Sequence, residues 1–204
     1  MTQRNKVIRR AMDYVNQLLI PLENHYYHQY SHALEVMDRA MYIAEKEGLN
    51  EDDIEMLGLA WLFHDSGFII QYDHNEPIWA KIAQNYLKSM LYDKDKILQI
   101  EEMILATDPD YNSPKNIYEE IIMDSDLDNF WREDFFDKME NIHKEREVIK
   151  DIKLRDPGWK HWVIDFLAEH KYYTKTQKDE RNHQKEKNKS QLEKMIQELE
   201  NEEI

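Results

Sequence analysis

Ile54-Glu-Met-Leu-Gly-Leu-Ala-Trp-Leu-Phe63 runs directly into His64-Asp65-Ser66-Gly67. The run is apolar and helical, and it places an imidazole and a carboxylate side by side at its end. Successive residues of an α-helix point about 100° apart. His64 and Asp65 can therefore share one ion only where the helix ends or distorts, and Ser66-Gly67 supplies such an end. Upstream, His32 sits on an amphipathic stretch of its own. Downstream, Asp126 lies within Met123-Asp-Ser-Asp-Leu-Asp128. Imidazoles and carboxylates converging from separate helices make a binding site for a divalent cation with room left for water. That pattern points to hydrolytic chemistry rather than to a structural metal.

Around this stretch the apolar spacing stays close to 3.6 residues, and strand-like alternation is scarce. The expectation is an all-α, compact multi-helix fold. Helices are expected over about Thr2–Leu19, stopped by Pro21, and Tyr30–Lys46, stopped by Gly48. The third is capped by Asn50 and ends near Gly67, with Glu51-Asp52-Asp53 in its first turn suiting the positive end of the helix dipole. Further helices are expected over Glu76–Met90 with Pro77 in the first turn, Lys94–Ala106, Ile117–Asp126 and Glu133–Ile149, and another opens at Asp156-Pro157. Asp108-Pro-Asp-Tyr-Asn-Ser-Pro114 is turn chemistry and reads as a loop. From Thr176 onward the chain is dense in Lys, Glu, Gln and Asn, with Leu192, Met195, Ile196 and Leu199 as a narrow apolar stripe. Residues 1–175 are thus expected to form the helical domain. Residues 176–204 are expected as a charged C-terminal helix, packed on that domain, partly free, or used as a homodimer contact.

Composition narrows the chemistry. The 204 residues contain no Cys, so a metal must be held by His and carboxylates. Only 4 Gly and 5 Pro favour long helices joined by short loops. A net charge of −15 argues against broad binding to nucleic-acid polymers or anionic membranes, whose phosphates it would repel. No apolar run is long enough to span a bilayer, and Met1-Thr-Gln-Arg-Asn-Lys6 lacks the apolar segment of a signal peptide, so a soluble cytoplasmic protein is expected.

The order His32, His64-Asp65, Asp126 resembles the H…HD…D signature of the HD superfamily of metal-dependent phosphohydrolases. Tyr27-His-Gln-Tyr-Ser-His32, Leu62-Phe-His-Asp-Ser-Gly-Phe68, Ile104-Leu-Ala-Thr107 and Asp124-Ser-Asp-Leu-Asp128 look like successive blocks of one bacterial subgroup. So do Arg132-Glu-Asp-Phe135 and Phe166-Leu-Ala-Glu-His-Lys-Tyr-Tyr-Thr174. The resemblance implies an HD-type helical domain holding one or two divalent ions (Mn, Mg, Fe, Co or Ni) and hydrolysing a phosphate ester. His32, His64, Asp65 and Asp126 are then the expected ligands. Asp65 is also an expected catalytic group that orients the water. If the second helix starts early, His25, His28 and His32 share one face, and His28 becomes a candidate proton shuttle. Arg132, Arg181 and Lys185 fall where the subgroup pattern carries basic residues and are candidate phosphate contacts.

Three positions depart from the pattern. Phe68 stands where a related nucleotidase branch carries a glutamate, which disfavours nucleoside monophosphatase activity. The chain reads His74-Asn75-Glu76 where the pattern reads Asn-His-Glu, so His74 is displaced as a second-metal or site-lining residue and a single ion is favoured. Trp131 replaces a small glycine and is expected to narrow the pocket or re-aim Arg132. The expected function is hydrolysis of a small phosphoester, with a nucleotide as the substrate class. The alternative is a non-catalytic metal- or nucleotide-binding sensor or scaffold on the same fold.

Overall fold

In the computed structural model, residues 3–22, 25–108, 110–111, 113–151, 153 and 156–202 are described. Among them there are nine α-helices and no strand. The chain divides into two compact units, residues 1–126 and 127–204. This division does not coincide with the expected boundary at 175/176. Thr2, where the first helix was expected to begin, and the extreme termini of the expected ranges lie outside the described residues.

The first unit holds α1 (Gln3–Leu19), α2 (Tyr30–Lys46), α3 (Glu51–Phe63), α4 (Glu76–Ser89), α5 (Lys94–Leu105) and α6 (Ile117–Asp126). Its organising element is α3, in which every side chain from Ile54 to Phe63 is buried. A helix apolar on all sides has to be enclosed by others, and α1, α2, α4, α5 and α6 all pack against it. Asn50 caps α3 as its sequence suggests, its Oδ1 accepting from the amides of Asp52 (2.9 Å) and Asp53 (3.1 Å). Gly48 turns the chain out of α2 at φ +83°, a conformation that costs other residues a Cβ clash. Asp93 caps α5 through the amides of Asp95 and Lys96.

The third helix stops short of the expected end near Gly67. It ends at Phe63, His64 still has helical angles, and Asp65 moves to φ −96°, ψ 0° before a 3₁₀ turn over Ser66–Ile69. Local side chains take over the last carbonyls. His64 Nδ1 lies 2.6 Å from the Trp61 oxygen, and Ser66 Oγ donates to the Phe63 oxygen at 2.7 Å. Such bonds compete with the helical ladder and unwind it.

The second unit holds α7 (Phe135–Lys150), α8 (Gly158–Glu169) and α9 (Lys175–Glu202). Its core is Trp131, Phe135, Met139, Trp159, Val163, Leu167, Tyr172, Leu192 and Ile196. The apolar stripe of the charged terminal helix is therefore used, with Leu192 fully buried and Ile196 nearly so.

Candidate metal centre

His32 comes from the first turn of α2, His64 and Asp65 from the break after α3, and Asp126 from the last residue of α6. The imidazoles of His32 and His64 have their centroids 5.6 Å apart. Asp65 bridges them, with Oδ1 3.1 Å from His64 Nε2 and Oδ2 3.6 Å from His32 Nε2. Asp126 Oδ1 stands 3.7 Å from His64 Nε2 and 4.0 Å from His32 Nε2. Donors that share an ion at about 2.1 Å lie roughly 3 to 4 Å from one another, so these spacings suit a cation at their centre.

The hydrogen bond behind His64 sharpens that fit. A carbonyl only accepts, so Nδ1 carries the proton toward Trp61, and the neutral ring presents its Nε2 lone pair to the carboxylates. Burial pushes the His64 pKa down to about 3, outweighing the bond to Trp61, so the ring is neutral. Its Nε2 has no hydrogen-bond partner. A lone pair facing carboxylate oxygens is repulsive unless positive charge lies between them. Burial likewise raises Asp126 to about 6, with nearby Glu76 adding and His28 subtracting. Its side chain still keeps 36% exposure, which opens the cluster to an approaching molecule. His32, His64, Asp65 and Asp126 are thus the residues that could hold a divalent ion.

The ring of His64 is clamped by two indoles set nearly perpendicular to it, Trp61 at 4.2 Å and Trp79 at 5.4 Å. Gly67 makes this clamp possible, because a Cβ there would fall 1.7 Å from the Trp79 ring. Phe68 stacks obliquely on His28 at 4.1 Å and meets Trp79 at 5.4 Å.

Other site candidates are placed differently from their expectations. The second helix begins at Tyr30, so His25 and His28 precede it instead of sharing its face. His28 nevertheless reaches the centre from the preceding segment, its ring edge-on to His32 at 5.9 Å. His74 is 61% exposed and lies against Asp108 and Asp110.

Arg132, Arg181 and Lys185 belong to the second unit, and each has a partner there. Arg132 chelates Asp134, holding that carboxyl below its usual range. Arg181 grips Asp128 through Nε (2.7 Å) and Nη2 (3.2 Å). Lys185 donates to the His170 carbonyl and lies 4.8 Å over the Trp131 ring. Trp131 itself is fully buried in the second core. The expectation that it narrows a pocket is therefore corrected, since a large apolar ring gains more from burial there than from lining a polar site. Asp128 is only 4% exposed. Arg181→Ala should accordingly cost about 3 kcal/mol, by stranding a buried charge, and urea unfolding of the two proteins measures it.

Residues 30–129 match the family model described as the HD domain. This stretch of the chain is an HD domain. It spans all four residues of the centre. Along nearly its whole length the chain is also similar in fold to three solved structures. The Lin1889 protein from Listeria innocua is 18% identical with a TM-score of 0.64, over 98% of this chain and 96% of that one. Bacillus subtilis YpgQ in complex with ADP is 16% identical with a TM-score of 0.62, over 96% and 97%. An HD-superfamily hydrolase from Bacillus thuringiensis is 16% identical with a TM-score of 0.61, over 98% of both chains. No curated protein sequence matches the chain. At these identities the likenesses establish the all-α fold around the HD domain.

Glu76, Asp108 and Asp110 are the nearby titratable groups that motif reading passed over. Nothing in their spacing along the chain ties them together, although the acid pair within the loop over residues 108–114 is visible in sequence.

Proposed function

We propose that this protein is a metal-dependent phosphohydrolase acting on a small phosphoester, with a nucleotide as the substrate class. The observation that carries the reading is the convergence of His32, His64, Asp65 and Asp126, with the His64 lone pair turned onto carboxylate oxygens inside an HD domain. The similarity in fold to YpgQ, whose structure contains ADP, supports the nucleotide class.

His32, His64, Asp65 and Asp126 would hold the ion. When bound, it would supply Lewis-acid polarisation of a phosphoryl oxygen and a lowered pKa for its water. Asp65 is buried and bridges both imidazoles, so one of its oxygens can orient the attacking water by accepting its hydrogen bond. His28 is half-buried at the edge of the cluster and can carry away the proton. Trp61 and Trp79 keep the His64 ring from turning and exclude water from its sides. Arg132, Arg181 and Lys185 remain the proposed phosphate contacts; each would have to exchange the partner it now holds.

The deciding experiment is phosphate release from a nucleotide panel and a chromogenic phosphoester, with Mn²⁺ and after chelation. Turnover that disappears on chelation and returns with metal is expected. Nucleotide binding without turnover under any divalent metal would overturn the enzyme in favour of the sensor.

A further inference from the structure

The segments that supply the four residues of the metal centre carry rings in place of cations. Residues 25–38, 61–80 and 116–131 contain no lysine or arginine. Two of these segments instead set aromatic side chains beside the centre. The ring of Phe68 lies 4.1 Å from that of His28, inclined at 32°, and 5.0 Å from that of Tyr72, inclined at 61°. His28 meets Tyr72 at 5.9 Å, and His25 lies 6.2 Å from Phe68 and 6.4 Å from Tyr72. The set joins the centre directly, since His28 is also 5.9 Å from His32.

Burial separates these rings from the core behind them. Tyr27 and Trp79, which touch them, are 8% and 4% exposed. His25, His28, Phe68 and Tyr72 are all only half-buried. Ile70, between Phe68 and Tyr72 along the chain, is 66% exposed. Aromatic rings that served packing alone would gain by burying their whole surface. These keep part of it open within one or two ring contacts of a metal-centre histidine.

The ion takes the phosphoryl group of a substrate, and the rest of the substrate must find its binding energy close by. With no cation on these segments, the attraction on offer is stacking, which any planar base accepts on its face. We propose that Phe68 and Tyr72, backed by His28 and His25, form a platform on which the base of a nucleotide stacks while its phosphates meet the His32–His64–Asp65–Asp126 centre. This rests on the nucleotide reading of that centre and adds the means by which a nucleotide is told from other phosphoesters.

The test compares the binding of two ligands that resist hydrolysis. One is α,β-methylene-ADP; the other is methylenediphosphonate, which has the same bridged diphosphate and no nucleoside. Calorimetric titration of Mn²⁺-loaded full-length protein gives the ratio of their dissociation constants. Wild type should prefer the nucleotide, and Phe68→Leu and Tyr72→Leu should each reduce that preference by about 5- to 100-fold. Tyr72→Phe, which keeps the ring face and loses only the hydroxyl, should retain it. Rings that merely pack predict leucine variants that weaken both ligands alike. The platform is overturned by that pattern, by a leucine variant with the wild-type preference, by a Tyr72→Phe protein that behaves like Tyr72→Leu, or by a wild type that binds both ligands equally. Failure of the hydrolase reading shows differently, as no phosphate release from the nucleotide panel while the preference persists.

Discussion

Gly67→Ala should destabilise the first unit by about 3 kcal/mol or more and weaken metal binding with it. An added Cβ would sit 1.7 Å from Cδ1 and Nε1 of Trp79 and 3.0 Å from the Asn75 carbonyl. Trp79 is 4% exposed and wedged between Phe68 and the His64 ring, so it has no free volume to retreat into. Any movement of the indole moves the imidazole it holds, and loosening a ligand's support costs about 10- to 100-fold in metal affinity. Gly58→Ala is the control. Its Cβ would meet the Met41 Sδ at 2.8 Å, but that is the far end of a flexible side chain that can swing aside. Urea midpoints of the three proteins, with Mn²⁺ titrations alongside, decide the matter. A Gly67→Ala protein as stable as the Gly58→Ala control would contradict the clamp.

Asp65→Asn should cut turnover by roughly 10²- to 10⁴-fold while leaving the metal-free protein as stable as wild type or more so. In wild type a buried carboxylate oxygen stands 3.1 Å from the lone pair of His64 Nε2. The amide of asparagine can turn its NH₂ toward that lone pair and replace a repulsion by a hydrogen bond. The same change removes the negative charge that attracts the ion. The stabilisation that Mn²⁺ confers on wild type, which follows from binding to the folded state alone, should therefore shrink or vanish in the variant. Thermal melts with and without Mn²⁺ separate these effects from misfolding. Retention of full activity would remove Asp65 from the proposed mechanism.

The helices could be read from the chain because their apolar spacing is regular, and the Asn50 cap and the Pro77 start are local chemistry. The stop of α3 was harder. Its apolar run continues to the histidine, and only the capture of the Trp61 and Phe63 carbonyls by His64 and Ser66 ends the ladder at Phe63. His28 shows the same limit. Its spacing from His32 suggested a shared helix face, but it reaches the centre from the segment before the helix. Trp131 stands beside Arg132 where the subgroup pattern carries a small glycine, and that replacement alone suggests a narrowed pocket or a re-aimed arginine. Burial separates them, the indole entering the second core and the guanidinium holding Asp134.

The uniform enclosure of α3 has a consequence for anyone who wishes to redesign this molecule. From Ile54 to Phe63 the helix has no solvent-facing side and so offers no position where polarity can be changed freely, and a one-residue slip would redirect every side chain of that run. It behaves as a fixed spindle that sets the azimuth of the imidazole at its tip. Altered ligand preference is better sought in the exposed stretch of residues 70–74, which leaves Ser66, Gly67 and the axle untouched.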